Sequence, residues 1–521
     1  MRRTARGASR AVRRGLSLAS LPGEGGWLQI RIDAGQGERE LPSPRRDAPG
    51  HLLETLLLLD AAAADPQVHG VLLVLEGPLP GWSAAHSLHR AVAELARRGT
   101  PVVSFAEQLD EALLYVASAG SRIVLPETGR VQLLGLRAEG FYFRDLLERL
   151  EVEPEVVRIG SHKSAAEMFT RGGMSPEQRE QLEALVDDLF EALVEGIAAG
   201  RGLPPRAVRD LVDGGPYGAA RAREAGLVDR CAYADELDAV LREVPAELGR
   251  DVPPGTPQRI DARTYASLRV DAAASESGGT LAYLVAQGSI HRGGGRGIGS
   301  EAFVRLFESL RSDPWVRGVV LRIDSPGGDA LASDLLWRGV DRLRREKPVV
   351  ASMAEVAASG GYYLASAADT VFAETGSVTG SIGVIGGKLN LSGLYDKLGV
   401  GRDGVERGAR AGLLSETRAF TPDERQAVRD EMEELYAAFV DRVARGRGLA
   451  VDAVQRVAGG RVWSGARALG AGLVDETGGP LEALRELRRQ AGFRPGERPA
   501  VQLHPRLPAL GGLLALLRRS F

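Results

Sequence analysis

Cysteine, lysine and long apolar runs are all scarce in this chain of 521 residues. The one cysteine, Cys231, excludes an internal disulfide framework and a cysteine-based zinc site. His86 and His89 lie three residues apart on a predicted helix, but no cysteine or carboxylate joins them in sequence. We therefore predict neither a metal site nor a cofactor. The net charge of −3 gives no basic surface of the kind that binds nucleic acid.

Lysine supplies only four of the 66 basic residues. Arginine can replace lysine wherever only a surface charge is needed, but it cannot lose its proton near neutral pH. A lysine in this chain is therefore a candidate for chemistry that arginine cannot perform. We interpret Lys347 and Lys397 as surface residues and return to Lys163 below. Lys388 follows Gly386 and Gly387, which predicts a solvated turn, with a place at the site entrance as the alternative.

Apolar runs of membrane-spanning length are also missing from the sequence. The first fifteen residues are basic, and Pro22 and Glu24 interrupt the stretch that follows, so it is too short for a signal peptide or a spanning helix. The apolar run Leu507–Leu517 is likewise too short to span. It could lie at a membrane surface, but docking on the protein body is the favoured interpretation.

The chain contains two copies of one unit, each of roughly 250 residues. Segments 65–78, 101–108, 175–203 and 218–230 recur in the same order as 313–326, 348–355, 421–449 and 465–476. Pro, Gly and Ser are concentrated between the copies, as in a linker. We predict a basic, disordered N-terminus at 1–22, a first repeat at 23–245, a linker at 246–276, a second repeat at 277–495 and a C-terminal tail at 496–521.

Each copy has the pattern of an α/β domain. Short apolar runs such as 68–75 alternate with helical stretches, which favours a parallel sheet flanked by helices. Two long helices are predicted at 176–199 and 422–446, each preceded by a Ser or Thr N-cap and opened by proline.

The two copies differ at a glycine pair that follows a buried strand. In the second copy the strand leads into Gly327 and Gly328, whose small size lets backbone N–H groups approach a ligand, as in an oxyanion hole. The corresponding positions of the first copy, 248 residues earlier in the chain, are Leu79 and Pro80. Proline has no N–H to donate, so the first copy lacks this feature. A glycine-rich turn without a ligand remains the alternative.

A serine and a lysine are each present in one copy and missing from the other. Ser359, among small residues at a predicted helix start, corresponds to Glu111 in the first copy. Lys163 in the first copy corresponds to Ala411 in the second. A Ser–Lys pair needs a nucleophile next to a deprotonated amine, and burial lowers the pKa of lysine. The complementary losses favour Ser359 as nucleophile and Lys163 as base, with the neighbouring His162 as the alternative base.

Four motifs carry a resemblance to a known family. They are IDSPGG (323–328), ASGGYY (358–363), TGSIGV (379–384) and GSHKSA (160–165). With these motifs the chain resembles the signal peptide peptidase A (protease IV) family in its long, internally duplicated bacterial form. The resemblance implies a tandem ClpP/crotonase-like fold and a Ser–Lys dyad.

The resemblance also implies roles for residues around that dyad. Ser359 would be the nucleophile and Lys163 the general base, while Ser381 would orient the lysine or serve only as a turn residue. Gly327, Gly328 and Gly360 would furnish the oxyanion hole.

The family's activity gives the expected function and partners. Its members are serine endopeptidases that cleave remnant signal peptides, so we expect signal-peptide remnants or other hydrophobic peptides as substrates. Homo-oligomers, tetramers by resemblance, and membrane association are also implied. The sequence shows no anchor, so a cytoplasmic or a peripheral membrane location stays open.

Two other functions compete with this one. An acyl-CoA-processing enzyme of the crotonase type would place carboxylates such as Asp324 and Asp329 beside the glycines. A non-catalytic oligomeric scaffold would leave the pair without a role. The serine hypothesis requires Ser359 Oγ and Lys163 Nζ within about 3–4 Å.

Overall fold

The structure, a computed structural model, describes residues 25–33, 35–38, 45–248, 256–270 and 278–505. The predicted basic segment 1–22 and the apolar run Leu507–Leu517 lie outside the described residues.

Strands are numbered here in chain order. They are β1 (Gly26–Ile32), β2 (Val68–Leu75), β3 (Val102–Ala106), β4 (Gln108–Leu109), β5 (Arg122–Leu125), β6 (Arg130–Val131), β7 (Glu153–Ile159), β8 (Tyr217–Gly218), β9 (Arg230–Cys231), β10 (Arg259–Asp261), β11 (Thr280–Gln287), β12 (Ile290–His291), β13 (Ile298–Gly299), β14 (Val316–Ser325), β15 (Val349–Ala358), β16 (Thr370–Ala373), β17 (Val378–Gly380), β18 (Val384–Asn390), β19 (Val462–Ser464), β20 (Glu476–Thr477) and β21 (Ala500–His504).

The α-helices are numbered in the same way. They are α1 (Leu52–Ala62), α2 (Trp82–Arg97), α3 (Glu111–Ser118), α4 (Arg144–Arg149), α5 (Glu167–Thr170), α6 (Pro176–Arg201), α7 (Pro205–Asp213), α8 (Ala219–Glu224), α9 (Leu237–Glu247), α10 (Ala262–Tyr265), α11 (Ser300–Ser312), α12 (Ala330–Arg344), α13 (Gly360–Ala365), α14 (Ser392–Lys397), α15 (Pro422–Arg447), α16 (Val451–Val457), α17 (Gly465–Gly470) and α18 (Pro480–Gln490). A 3₁₀ turn (Ala234–Glu236) and a π turn (Ala266–Val270) add to these.

Each repeat is built on its own sheet. In the first repeat the order is β10-β1-β2-β3-β5-β9, with every neighbour parallel. In the second repeat the order is β19-β17-β15-β14-β11-β21, with β16 joining β15 and β20; only the β17–β19 pair is antiparallel. The central strands are buried apolar runs, as expected for parallel strands covered on both faces by helices. The predicted α/β duplication with parallel sheets is confirmed.

The two long helices match their predicted starts. Ser175 and Thr421 each cap a helix whose first residue is proline, and each helix ends before a left-handed glycine, Gly202 or Gly448. α6 and α15 therefore begin with the same kind of N-cap and end with the same kind of glycine C-cap.

Two edge strands lie in segments predicted to fall outside the repeats. β10 lies within the predicted linker 246–276 and pairs with β1, and β21 lies within the predicted tail 496–521 and pairs with β11. Both are short and follow proline-containing stretches, so their local pattern gives little sign of a strand.

The two repeats pack on each other through buried polar groups. Arg322 on β14 is fully buried and donates to Glu38 at 2.6 Å and to Ser83 Oγ at 3.2 Å, both in the first repeat. Glu374, also fully buried, accepts from Ser87 and from Arg90 of α2. No helix in the described part of the chain is long and apolar enough to cross a membrane.

Candidate active site

Ser359 stands at the turn between strand β15 and helix α13, in the second repeat. Its backbone has φ +55° and ψ −118°, a region that residues other than glycine rarely occupy. Its N–H donates to Gly380 O at 2.9 Å, which fixes the turn. Among the described residues three non-glycine residues have positive φ, and two of them are Ser359 and Ser381. Strain of this kind is concentrated at functional sites.

Ser381 lies beside Ser359 because of strand register. β15 and β17 are parallel neighbours in which Ala358 pairs with Gly380, so both serines follow the last paired residues. The Ser381 N–H donates to Arg461 O at 2.7 Å, and the side chain is only 9% exposed.

A two-stranded ribbon brings Lys163 to the same place. β7 of the first repeat and β18 of the second are antiparallel, with Ile159 opposite Val384. Lys163 follows the end of β7 by four residues, and Ser381 precedes the start of β18 by three. The ribbon thus joins the lysine of one repeat to the serines of the other.

The Lys163 amine is held among three oxygens. Nζ lies 3.0 Å from Ser359 Oγ, and it donates to Ser381 O at 2.9 Å and to Ser381 Oγ at 3.0 Å. The side chain is 5% exposed, and burial lowers the pKa of Lys163 to about 8. A deprotonated amine is therefore accessible near neutral pH.

The predicted oxyanion glycines surround Ser359. A Cβ added to Gly327 would lie 2.6 Å from Gly360 N and 2.8 Å from Ser359 Cβ, so this position requires glycine. The bridge between Ile290 and Gly328 uses Gly327 O and Asp329 N, which leaves the Gly328 amide out of it. Gly360 is the first residue of α13, so its amide has no acceptor within the helix.

The histidines of the sequence analysis lie elsewhere. His162 Nδ1 is 3.0 Å from Ser161 Oγ, and its Nε2 faces Glu180 at 4.0 Å, so the ring does not contact the two active-site serines. His86 and His89 pack against Tyr115. In the described ranges no group of three or more His, Cys, Asp or Glu side chains could hold a metal ion.

One of the other lysines differs from expectation. Lys388 lies within strand β18, where its Nζ is buried 4.5 Å from the centre of the Phe420 ring. The predicted turn at Lys388 was wrong, because Gly386 and Gly387 belong to the ribbon; the residue itself is half-exposed.

Sequence reasoning missed the residues that hold the loop between β7 and α5, which carries Lys163 and is called the lysine loop below. Gln181 on α6 is 4% exposed; its Nε2 donates to Ser164 Oγ at 3.0 Å, and its Oε1 accepts from Val462 N at 3.1 Å. It therefore ties the lysine loop to β19 of the other repeat. Aligning Ser175 with Thr421 places Gln181 opposite Ala427, so the comparison of the two copies contained a signal.

The backbone of Gly460 packs closely against Lys163. A Cβ added there would lie 2.5 Å from both the N and the Cβ of Lys163. The preceding Gly459 accepts from His162 N at 2.9 Å. The second repeat thus provides a backbone cradle for the lysine of the first.

The profile of peptidase family S49 matches residues 94–248 and 341–494, one match in each repeat. The chain belongs to peptidase family S49. It is 33% identical over 438 residues to "Serine protease SPPA, chloroplastic" of Arabidopsis thaliana, covering 82% of this chain and 64% of that one. It is 32% identical over 400 residues to "Protease 4" of Salmonella typhi, covering 75% and 63%.

A third S49 relative is matched over more of its length. The chain is 30% identical over 452 residues to "Protease 4" of Haemophilus influenzae, covering 83% of this chain and 72% of that one. The chain thus spans just under two thirds of the first two relatives. A solved structure of a ClpP1 mutant from Listeria monocytogenes matches 39% of this chain and 94% of its own, with 13% identity and a TM-score of 0.27.

Proposed function

We propose that this S49 chain is a serine endopeptidase of the signal peptide peptidase A type, acting on remnant signal peptides or other hydrophobic peptides. The observation that carries the proposal is the 3.0 Å separation of Lys163 Nζ and Ser359 Oγ. The amine is buried, and it lies next to a serine on a strained turn, which is the arrangement that an activated nucleophile needs.

In the first half-reaction Ser359 Oγ attacks the carbonyl carbon of the scissile bond while neutral Lys163 takes the hydroxyl proton. The oxyanion that forms is stabilised by backbone N–H groups of the Gly327–Gly328 and Gly360 segments. Collapse breaks the C–N bond, and the Lys163 ammonium gives its proton to the leaving amine. An acyl-enzyme on Ser359 remains.

In the second half-reaction a water molecule attacks the acyl carbon. Lys163, neutral again, takes a proton from that water, and the new oxyanion accepts hydrogen bonds from the same N–H groups. Collapse releases the peptide acid and returns the proton from Lys163 to Ser359 Oγ. Ser381 keeps Nζ aimed at Ser359 through both halves by accepting from it with Oγ and O.

We also propose that the chain acts as a homo-oligomer, a tetramer by resemblance to its family. Apolar side chains near the ribbon are exposed, among them Leu146 (51%), Leu398 (67%) and Val400 (47%). An exposed apolar patch of this kind is typical of a protein–protein contact.

The deciding experiment is hydrolysis of a fluorogenic hydrophobic peptide by the purified chain, Ser359→Ala and Lys163→Ala. We expect each variant to fold and to lose on the order of 10³-fold or more in kcat. Near-normal turnover by Lys163→Ala would assign the base to another residue. A folded but inert unmodified chain would favour the scaffold function, and turnover of an acyl-CoA thioester in place of the peptide would favour the crotonase-type enzyme.

A further inference from the structure

A cavity of about 690 Å³ lies between the two repeats and away from Ser359. Leucine is the commonest residue in its walls, which include Leu53 and Leu57 of α1, Leu484 of α18, Leu281 of β11 and Leu503 of β21. The volume falls within the range of small-molecule sites in proteins, about 300–1,000 Å³. The leucine-lined part of the wall suits a ligand with a hydrocarbon body.

Charged side chains also line this cavity, and positive ones predominate. The lining contains Arg263, Arg485, Arg488 and Arg498 against the carboxylates of Glu54 and Asp60, together with His51. Both carboxylates have partners already. Asp60 accepts from Arg485 at 2.8 Å, and Glu54 accepts from Gly50 N at 2.7 Å.

Arg488 and Arg498 have no carboxylate within ion-pair distance in the part of the chain that the structure describes. Arg488 Nη1 donates at 3.4 Å to the carbonyl O of Glu497, the residue that precedes Arg498 in sequence. Burial lowers the pKa of Arg488; Asp60 opposes this, and the charges of Arg485 and Arg498 add to it. Among the described residues, two arginines that line one cavity thus form no ion pair, although the charge of Asp60 partly offsets that of Arg488.

We propose that this cavity binds a free long-chain fatty acid. Arg488 and Arg498 hold the carboxylate, because guanidinium groups bind carboxylates through paired hydrogen bonds. The leucine walls hold the acyl chain, whose transfer from water provides most of the affinity. The acid is the favoured ligand because leucines line the same cavity as two arginines that form no ion pair within the described residues.

The test uses the full chain and cis-parinaric acid, a fatty acid that becomes fluorescent in apolar sites. We expect saturable binding of one equivalent, displaced by palmitate but not by methyl palmitate, which has the same chain and no charge. The double variant Arg488→Gln/Arg498→Gln should raise the dissociation constant at least tenfold. Arg489→Gln is the matched control, because Arg489 is on the same helix but pairs with Glu486 and does not line the cavity.

Peptide hydrolysis by all variants checks that they are folded, since none of these arginines contacts the candidate active site. Three results would overturn the proposal. These are absence of saturable binding to the full chain, equal displacement by the ester, and an unchanged dissociation constant in the double variant.

Discussion

Lys163 is the residue on which the proposed chemistry depends. Burial is the cause of its lowered pKa, about 8, and no charged neighbour contributes. The sequence indicated this residue because arginine had replaced lysine almost everywhere else. It could not show the depth of burial, which comes from packing between two repeats.

The first prediction concerns pH. Lys163 must be neutral to accept the serine proton, so kcat/KM should rise with pH and level off above about 8. Because burial and not a charge sets this pKa, the inflection should stay in place when salt is raised from about 0.1 M to about 1 M. The measurement is a pH–rate profile on a hydrophobic peptide, with His162→Ala as control. An inflection near the ordinary histidine pKa that disappears in His162→Ala would contradict the prediction.

The second prediction concerns Ser381, whose hydroxyl accepts from Nζ at 3.0 Å. Removing it in Ser381→Ala should lower kcat about tenfold or more with little change in KM, since an orienting hydrogen bond to an ionisable group is lost. Loss of an acceptor for the ammonium should also move the inflection of the pH profile downward. Ser161→Ala is the matched control, because within the described residues its hydroxyl bonds to His162 and not to Lys163. Equal effects of the two variants would show that Ser381 is a turn residue.

At the scale of elements, local pattern predicted most of the scaffold. The strand at 68–75 was read from its apolar run, and the long helices from their Ser-Pro and Thr-Pro starts. These elements are determined by residues close in sequence, through burial, capping and the fixed φ of proline.

The β7–β18 ribbon could not be read in this way. β7 carries two glutamates and a proline, β18 carries a glycine pair, and more than 200 residues separate the partners. Pairing at that distance is decided by the packing of the repeats and not by local propensity. The ribbon nevertheless positions Lys163, so the sequence predicted the pairing of Lys163 with Ser359 but not the element that joins them.

The third prediction tests the cradle under Lys163. Gly459 and Gly460 both have positive φ, +68° and +82°, so alanine strains the backbone at either position. Only at Gly460 would the new Cβ meet Lys163, at 2.5 Å; at Gly459 it meets open space. Gly460→Ala should therefore displace the lysine loop and lower kcat/KM by about 100-fold, the scale expected for a misplacement of about 1 Å.

Gly459→Ala serves as the control for strain alone. It should destabilise the chain to a similar degree in a thermal melt while keeping most of its activity. If both variants lose activity equally, strain explains the loss and the contact with Lys163 does not.

At the scale of the whole molecule, the residues of the candidate site are divided between the two repeats. The first repeat keeps the lysine and the second keeps the serine and the glycines, so neither repeat holds a complete site. Complementary losses made this division visible in the sequence. The interface that makes it possible was not visible, because its buried charges are scattered along the chain.

That interface holds two carboxylates, the half-buried Glu355 and the fully buried Glu374, whose pKa values move in opposite directions. Burial raises the pKa of Glu355 on β15 to about 7, although Ala84 N at the start of α2 donates to it at 3.2 Å. Glu374 is buried as well, but Arg90 and Ser87 hold its pKa below the usual value. Glu355 thus resists ionisation in the folded chain and Glu374 does not.

The last prediction follows from this contrast. The folded chain keeps a proton on Glu355 that the unfolded chain releases between pH 4.5 and about 7, so stability should fall as pH rises through that window. Glu355→Gln cannot ionise, so its stability relative to the unmodified chain should increase between pH 5 and pH 8, by about 2–3 kcal/mol. Glu374→Gln, which loses an ion pair that exists at both pH values, should be destabilised by a similar amount at each. The measurement is the free energy of unfolding of the three chains in urea at pH 5 and pH 8. If the free-energy difference between Glu355→Gln and the unmodified chain does not change with pH, Glu355 is charged in the folded protein at both pH values.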